Sequence, residues 1–201
     1  MNARAKIAAA ALPLLLAACF IFTSQPRPTP EEGGWARERD HFSATAKLYD
    51  GLTTRAFASA IYQAPSVREA RVARLAEWQN MTAAERDKLL ASERDEAEKY
   101  DDFLVSLFTV DRPENDLDTS KSVWRVALVL EGEGELLPDK IEAIRTDATL
   151  RTLYPTIGDF DVVYRVRFAR RPGTPLADRV FTLRLASARG RLEFPFPAAP
   201  K

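Results

Sequence analysis

The chain contains only one cysteine and one histidine among its 201 residues. A Cys/His zinc site needs several such ligands, so the composition excludes one. A Ser-His-Asp triad would have to use His41, which lies beside Asp40, and no Gly-x-Ser-x-Gly motif accompanies it. No glycine-rich segment has the spacing of a phosphate-binding loop. The sequence therefore predicts no cofactor and shows no recognisable catalytic motif.

Long hydrophobic runs and an excess of one charge are also missing. The 29 basic and 29 acidic side chains balance, which argues against a general affinity for nucleic acid. The longest apolar stretch, residues 7–22, is interrupted by Pro13 and is shorter than the roughly 20 residues of a membrane-spanning helix. An uncleaved anchor is one interpretation of this stretch, and a cleaved signal peptide fits its length better.

The start of the chain has the order of a signal peptide: Arg4 and Lys6, an apolar segment, and small residues before the cysteine. It resembles the signal peptide of bacterial lipoproteins over residues 1–19. The lipobox of that family, Leu-x-x-Cys with small residues between, is matched by Leu16, Ala17, Ala18 and Cys19. The resemblance implies cleavage before Cys19 and attachment of palmitate-type acyl chains to this residue.

This resemblance also predicts where the protein is located. A lipid on Cys19 would make the membrane a partner and place the chain in the bacterial cell envelope. In this family an aspartate after the lipidated cysteine favours retention at the inner membrane, whereas here Phe20 follows. We therefore expect attachment to the outer membrane, with the protein facing the periplasm.

The sequence divides into three parts. Residues 1–18 form the predicted signal peptide, and residues 19–34 contain the lipidated cysteine followed by a tether rich in proline and glycine. Residues 35–201 are expected to form a single domain. The only cysteine is in the lipobox, so this domain has no disulfide and must be stabilised by packing.

Alternation of apolar and polar residues predicts about eight strands in this domain. They cover residues 42–48, 55–62, 103–109, 124–130, 140–145, 160–168, 180–185 and 192–196. Between the second and third, the sequences Ser66-x-x-Glu69 and Thr82-x-x-Glu85 both match the capping box and predict a helical hairpin at about 66–99. This order favours an antiparallel β-sandwich with a helical insert. The alternative is an open α+β sheet packed by two helices.

Aromatic residues on the apolar faces of the predicted strands are expected in the core. They are Trp124, Phe160, Tyr164, Phe168, Phe194 and Phe196.

Four acidic residues crowd one loop, and their oxygen atoms could bind calcium. They are Asp111, Glu114, Asp116 and Asp118. Their spacing is not that of an EF-hand, and such residues commonly serve as solvated turn formers. The sequence gives no other metal-binding pattern.

The charges are separated along the chain. Residues 85–118 contain twelve acids and five bases, whereas residues 165–191 contain eight arginines and one acid. One interpretation is that the acidic second helix covers the arginine-bearing sheet. The other is that Arg165, Arg167 and Arg184, on neighbouring strands, form an open patch for an acidic envelope protein or an anionic polymer.

These observations favour a lipid-anchored, non-enzymatic interaction or assembly module of the cell envelope. Two alternatives stay open: an envelope hydrolase without a recognisable motif, and a carrier of a small apolar ligand between the sheets. A polar cleft with converging acids would favour the hydrolase, and a large apolar cavity would favour the carrier.

Overall fold

A computed structural model describes residues 33–173 and 175–199. The predicted signal peptide, the lipobox and most of the tether lie outside these residues. The described chain is mainly β, and its strands are β1 (Ser43–Asp50), β2 (Thr53–Tyr62), β3 (Tyr100–Thr109), β4 (Arg125–Leu130), β5 (Gly134–Leu136), β6 (Lys140–Ile144), β7 (Val162–Ala169), β8 (Phe181–Ser187) and β9 (Gly190–Phe196). Its helices are α1 (Gly33–His41), α2 (Pro65–Trp78), α3 (Ala83–Lys99) and α4 (Ala148–Leu153).

The strands form two antiparallel sheets. The five-stranded sheet has the order β1-β2-β3-β7-β6, and the four-stranded sheet has the order β5-β4-β8-β9. The helices α2 and α3 are inserted between β2 and β3. The predicted sandwich with a helical insert is therefore confirmed, and the strand missing from the prediction is the three-residue β5.

Aromatic side chains join the two sheets in the core. Phe103 on β3 lies 5.9 Å from Phe181 and 5.7 Å from Phe196, measured between ring centroids. Both partners belong to the opposite sheet, and all three side chains are buried. Edge and tilted contacts of this kind add to the free energy gained by burying the rings.

Two predictions are wrong: the placement of Phe160 in the core and the assignment of Gly33 and Gly34 to the tether. Phe160 precedes β7 instead of lying in it, and its side chain is 85% exposed. Gly33 and Gly34, assigned to the tether, are the first residues of α1. Trp35 in this helix is buried, and its Nε1 donates a hydrogen bond to the carbonyl oxygen of Leu153 at 3.2 Å.

The two predicted capping boxes have different outcomes. The hydroxyl of Thr82 accepts a hydrogen bond from the backbone N–H of Glu85, whose carboxylate accepts one from the N–H of Thr82, so the second box is confirmed. The first is wrong, because α2 begins at Pro65 and Ser66 already lies within the helix. A proline in the first helical turn lacks an N–H that would need a cap.

The two sheets approach each other along one side of the sandwich, where β1 packs against β9. Gly190, the first residue of β9, has a φ of +140°. A Cβ atom at this position would lie 2.6 Å from Cδ1 of Leu48 on β1. The opposite side is bounded by the edge strands β5 and β6. In residues 33–173 and 175–199, we find no helix with the length and hydropathy needed to cross a bilayer.

Candidate functional site

The predicted arginine patch is divided between the two sheets. Arg165 and Arg167 lie on β7 of the five-stranded sheet, whereas Arg184 lies on β8 of the four-stranded sheet. The prediction that these strands are neighbours is wrong, because the chain changes sheets between β7 and β8. The arginines therefore contribute to two separate surfaces.

The first surface is a cleft between α2, α3 and the outer face of the five-stranded sheet, which we call the hairpin cleft. Its cavity has a volume of about 420 Å³, and an adjoining cavity toward α4 has about 390 Å³. Alternation along β3 and β7 turns Asp102, Arg165 and Arg167 toward this cleft, while Phe103 and Val166 face the core.

A chain of ion pairs connects the helices to the sheet inside the hairpin cleft. Arg68 on α2 contacts Asp102 on β3 and Glu93 on α3, each at 2.9 Å. Asp102 also accepts a hydrogen bond from Nε of Arg167 at 2.9 Å, and Arg167 contacts Glu96 on α3 at 2.8 Å. The side chains of Arg68 and Asp102 are only 6% and 4% exposed, so both charges depend on these partners.

Arg71 extends this network toward α4. Its guanidinium contacts Glu93 at 2.5 Å and donates to Oε1 of Gln63 at 2.8 Å. The hydroxyl of Tyr154 donates to the same Gln63 oxygen at 3.0 Å. Burial lowers the pKa of Arg71, but Tyr154 and Glu93 raise it by more, so the net shift is upward and the side chain stays charged.

The hairpin cleft has the character of a structural junction. Its acids Glu93, Glu96 and Asp102 each contact an arginine, so protonating one of them would weaken an ion pair to a buried or partly buried guanidinium group. The interpretation in which the acidic helix covers the arginine-bearing sheet is confirmed for Arg167. Arg165 differs, because its side chain is 46% exposed and lies 3.6 Å from Glu142.

The second surface is the outer face of the four-stranded sheet, where Arg184 has arginine neighbours that the sequence did not reveal. Strand register places Arg125 on β4 and Arg191 on β9 on either side of Ala186 of β8. Arg189 lies in the turn between β8 and β9, and a shallow cavity of about 400 Å³ is lined by Arg184, Arg189 and Arg191. We call Arg125, Arg184, Arg189 and Arg191 the arginine face.

Ion pairs on the arginine face are exposed to solvent. Glu135 contacts Arg125 at 3.2 Å and Arg184 at 2.8 Å. The side chains of Arg125 and Arg191 are 64% and 69% exposed. Exposed pairs contribute about 0–1 kcal/mol, so a carboxylate or phosphate of a partner could replace Glu135 at little cost. This separates the arginine face from the hairpin cleft, where breaking a pair is expensive.

The acidic loop does not bring its side chains together as a calcium site. Asp116 accepts hydrogen bonds from the hydroxyl of Ser122 and the N–H of Val123, and Glu114 pairs with Arg189 at 3.1 Å. Asp111 lies 3.7 Å from Arg55. The ranges 33–173 and 175–199 contain no group of three or more His, Cys, Asp or Glu residues that could hold a metal ion.

One small cavity lies at the margin of the core. It has a volume of about 40 Å³ and is lined by Leu128, Leu136 and Leu176, among others. Pockets for small organic ligands usually measure about 300–1,000 Å³, so this one holds little more than water.

No known family model, curated protein or solved structure matches this chain.

Proposed function

We propose that this protein is a lipid-anchored interaction module of the bacterial cell envelope that binds an anionic partner. Attachment through Cys19, with the domain facing the periplasm, follows from the lipobox resemblance. The observation that carries the binding role is the arginine face, where the side chains of Arg125, Arg189 and Arg191 are 64%, 56% and 69% exposed. The partner is an acidic segment of an envelope protein or an anionic envelope polymer.

The geometry favours this function over the two alternatives. A hydrolase would need a carboxylic acid free for proton transfer, but the acids of the hairpin cleft are held by arginines. A carrier would need an apolar cavity several times larger than the one beside Leu128. On the arginine face, binding needs only the exchange of a solvent-exposed ion pair, such as Arg125–Glu135, for a contact with the partner.

The proposed binding role predicts that removing two charges from the arginine face lowers the affinity for an anionic partner. In Arg125→Gln/Arg191→Gln, contacts to carboxylates or phosphates are lost, and we expect affinity for polyglutamate to fall about tenfold at low salt, with a weaker salt dependence. Binding is measured by fluorescence anisotropy with the acylated protein in nanodiscs. The same variant should lose crosslinks to envelope components in cells.

A matched control separates this site from net charge. Arg86→Gln/Arg94→Gln removes two exposed arginines from α3, at 50% and 60% exposure, and changes the net charge equally. Equal losses for the two variants would refute a site on the arginine face. The anchor is tested separately: Cys19→Ala should release the protein from membranes, and persistent membrane attachment would contradict lipidation of this residue.

A further inference from the structure

Four exposed apolar side chains lie at one end of the five-stranded sheet, which we call the apolar end. They are Tyr49, Leu52, Val110 and Phe160, with exposed fractions of 55%, 103%, 50% and 85%. Exposing several large apolar side chains next to one another in water costs free energy. A contiguous set of them is therefore typical of a contact surface.

Strand register shows that these residues are grouped. Tyr49 pairs with Thr54 across the β1–β2 turn that contains Leu52, and the N–H of Val110 donates to the carbonyl oxygen of Arg55 at 3.0 Å. Phe160 comes two residues before Val162, which pairs with Leu107 near the end of β3. The four side chains therefore lie where β1 and β3 end and where β2 and β7 begin, in a row of about 15 Å at the usual strand spacing.

Three carboxylates at the apolar end are paired with arginines. Arg55 contacts Asp50 at 2.9 Å and Asp111 at 3.7 Å. Arg151 forms an ion pair with Asp159, next to Phe160. These three carboxylates thus each have an arginine within ion-pair distance, which reduces their repulsion from an anionic bilayer.

We propose that the apolar end rests in the interfacial region of the bilayer to which the chain is anchored. The inference depends on the lipid at Cys19 in the proposed function. About 14 residues separate Cys19 from Gly33 and could reach about 45 Å at full extension, whereas a ten-residue strand is about 33 Å long. Either end of the sandwich can thus reach the membrane, and among the described residues the row of exposed apolar side chains lies at this end. Burial of Leu52 alone would favour the bound orientation about tenfold.

The orientation can be measured with two tryptophan substitutions. Leu52→Trp reports on the apolar end, and Val180→Trp is the control, since Val180 is 66% exposed. Gly190, beside the β8–β9 turn, approaches Leu48 near the apolar end, so Val180, at the start of β8, lies at the opposite end. Each full-length acylated variant is reconstituted in phosphatidylethanolamine/phosphatidylglycerol vesicles containing brominated lipid.

We expect fluorescence at position 52 to shift to shorter wavelength and to be quenched by the brominated lipid. Fluorescence at position 180 should do neither, after subtraction of the native tryptophan signal. Absent quenching at position 52, or equal quenching at both positions, would overturn the proposal. Protection of position 52 from iodide without lipid quenching would also overturn it, because a second copy would then cover this end. Mass spectrometry of the acyl group tests the anchor independently, so failure of the anchor and failure of the orientation are distinguishable.

Discussion

Asp101 and Asp102 are adjacent on β3, yet their surroundings differ. Asp102 lies between Arg68 and Arg167, whereas Asp101 points to the other face of the strand. Burial raises the pKa of Asp101 above its ordinary value of 3.8, and the hydrogen bond from the hydroxyl of Tyr62, at 2.7 Å, offsets this only in part. The carboxyl of Asp101 therefore holds its proton more strongly in the folded state than in the unfolded state.

This shift predicts a pH effect. An acid whose pKa is raised by folding binds more protons in the folded state, so its contribution to stability falls as the pH rises above about 4. Asp101→Asn removes this titration and keeps an oxygen acceptor for Tyr62. As the pH rises from 4 to 7, we therefore expect the free energy of unfolding of the variant to increase relative to that of the wild type. Urea unfolding at several pH values measures this difference. A difference that is independent of pH would contradict the assignment.

Asp102→Ala should be among the most destabilising single substitutions in the hairpin cleft. It leaves the buried Arg68 and Arg167 without their shared carboxylate, and removing one partner of a buried pair costs about 3–5 kcal/mol. Glu135→Ala is the comparison, because its partners on the arginine face are exposed and the loss should stay below about 1 kcal/mol. Urea unfolding measures both, and similar losses would argue against a structural role for the cleft.

At the scale of the elements, the two capping sequences make a matched experiment. Thr82→Ala removes both hydrogen bonds of the hydroxyl at the start of α3, and we expect a loss of about 1 kcal/mol in the free energy of unfolding. Ser66→Ala should change it by less than about 0.5 kcal/mol, because Ser66 caps no helix. A larger effect at Ser66 would show that the helix starts elsewhere.

These elements also show why prediction from sequence succeeded in some places and failed in others. The start of α3 after Thr82 was predicted correctly, because it depends on a local motif, Thr82-x-x-Glu85. Helix α1 was not predicted. It is stabilised by a contact between residues far apart in the chain, the hydrogen bond from Trp35 to the carbonyl oxygen of Leu153. Phe160 continued the alternation of β7 in sequence, but turn residues precede the strand there.

For the molecule as a whole, the contact between β1 and β9, which belong to different sheets, joins the two sheets at one side. At Gly190 an alanine would have to adopt a φ of +140° and approach Leu48 closely, and backbone strain of this kind costs about 1–3 kcal/mol. Gly190→Ala should therefore lower the urea midpoint more than Gly51→Ala. The latter has a φ of +60° and no neighbouring atom within 4 Å. Equal urea midpoints for the two variants would mean that β1 and β9 can move apart to accommodate the added methyl group.

The arginine face could not be predicted in full because it depends on the assignment of strands to sheets. Sequence order suggested that Arg165 and Arg184 were neighbours, since β7 and β8 are consecutive strands. Pairing instead places β8 between β4 and β9, which brings Arg125 to Arg184 from about 60 residues away. Only the excess of arginine in this part of the chain was visible in the sequence.

The helical hairpin leaves and rejoins the sheet at paired neighbours, Tyr62 and Phe103. In topological terms it is an exchangeable unit: another segment could connect the same two strands without altering the order of the sheet. A longer connection costs only about 0.6 kcal/mol for each doubling of its length. Its chemistry is more constrained than its length. Any replacement would remove Arg68 and leave Asp102 with Arg167 of β7 alone, so the need for a second cation at this carboxylate limits which segments the sandwich can accept.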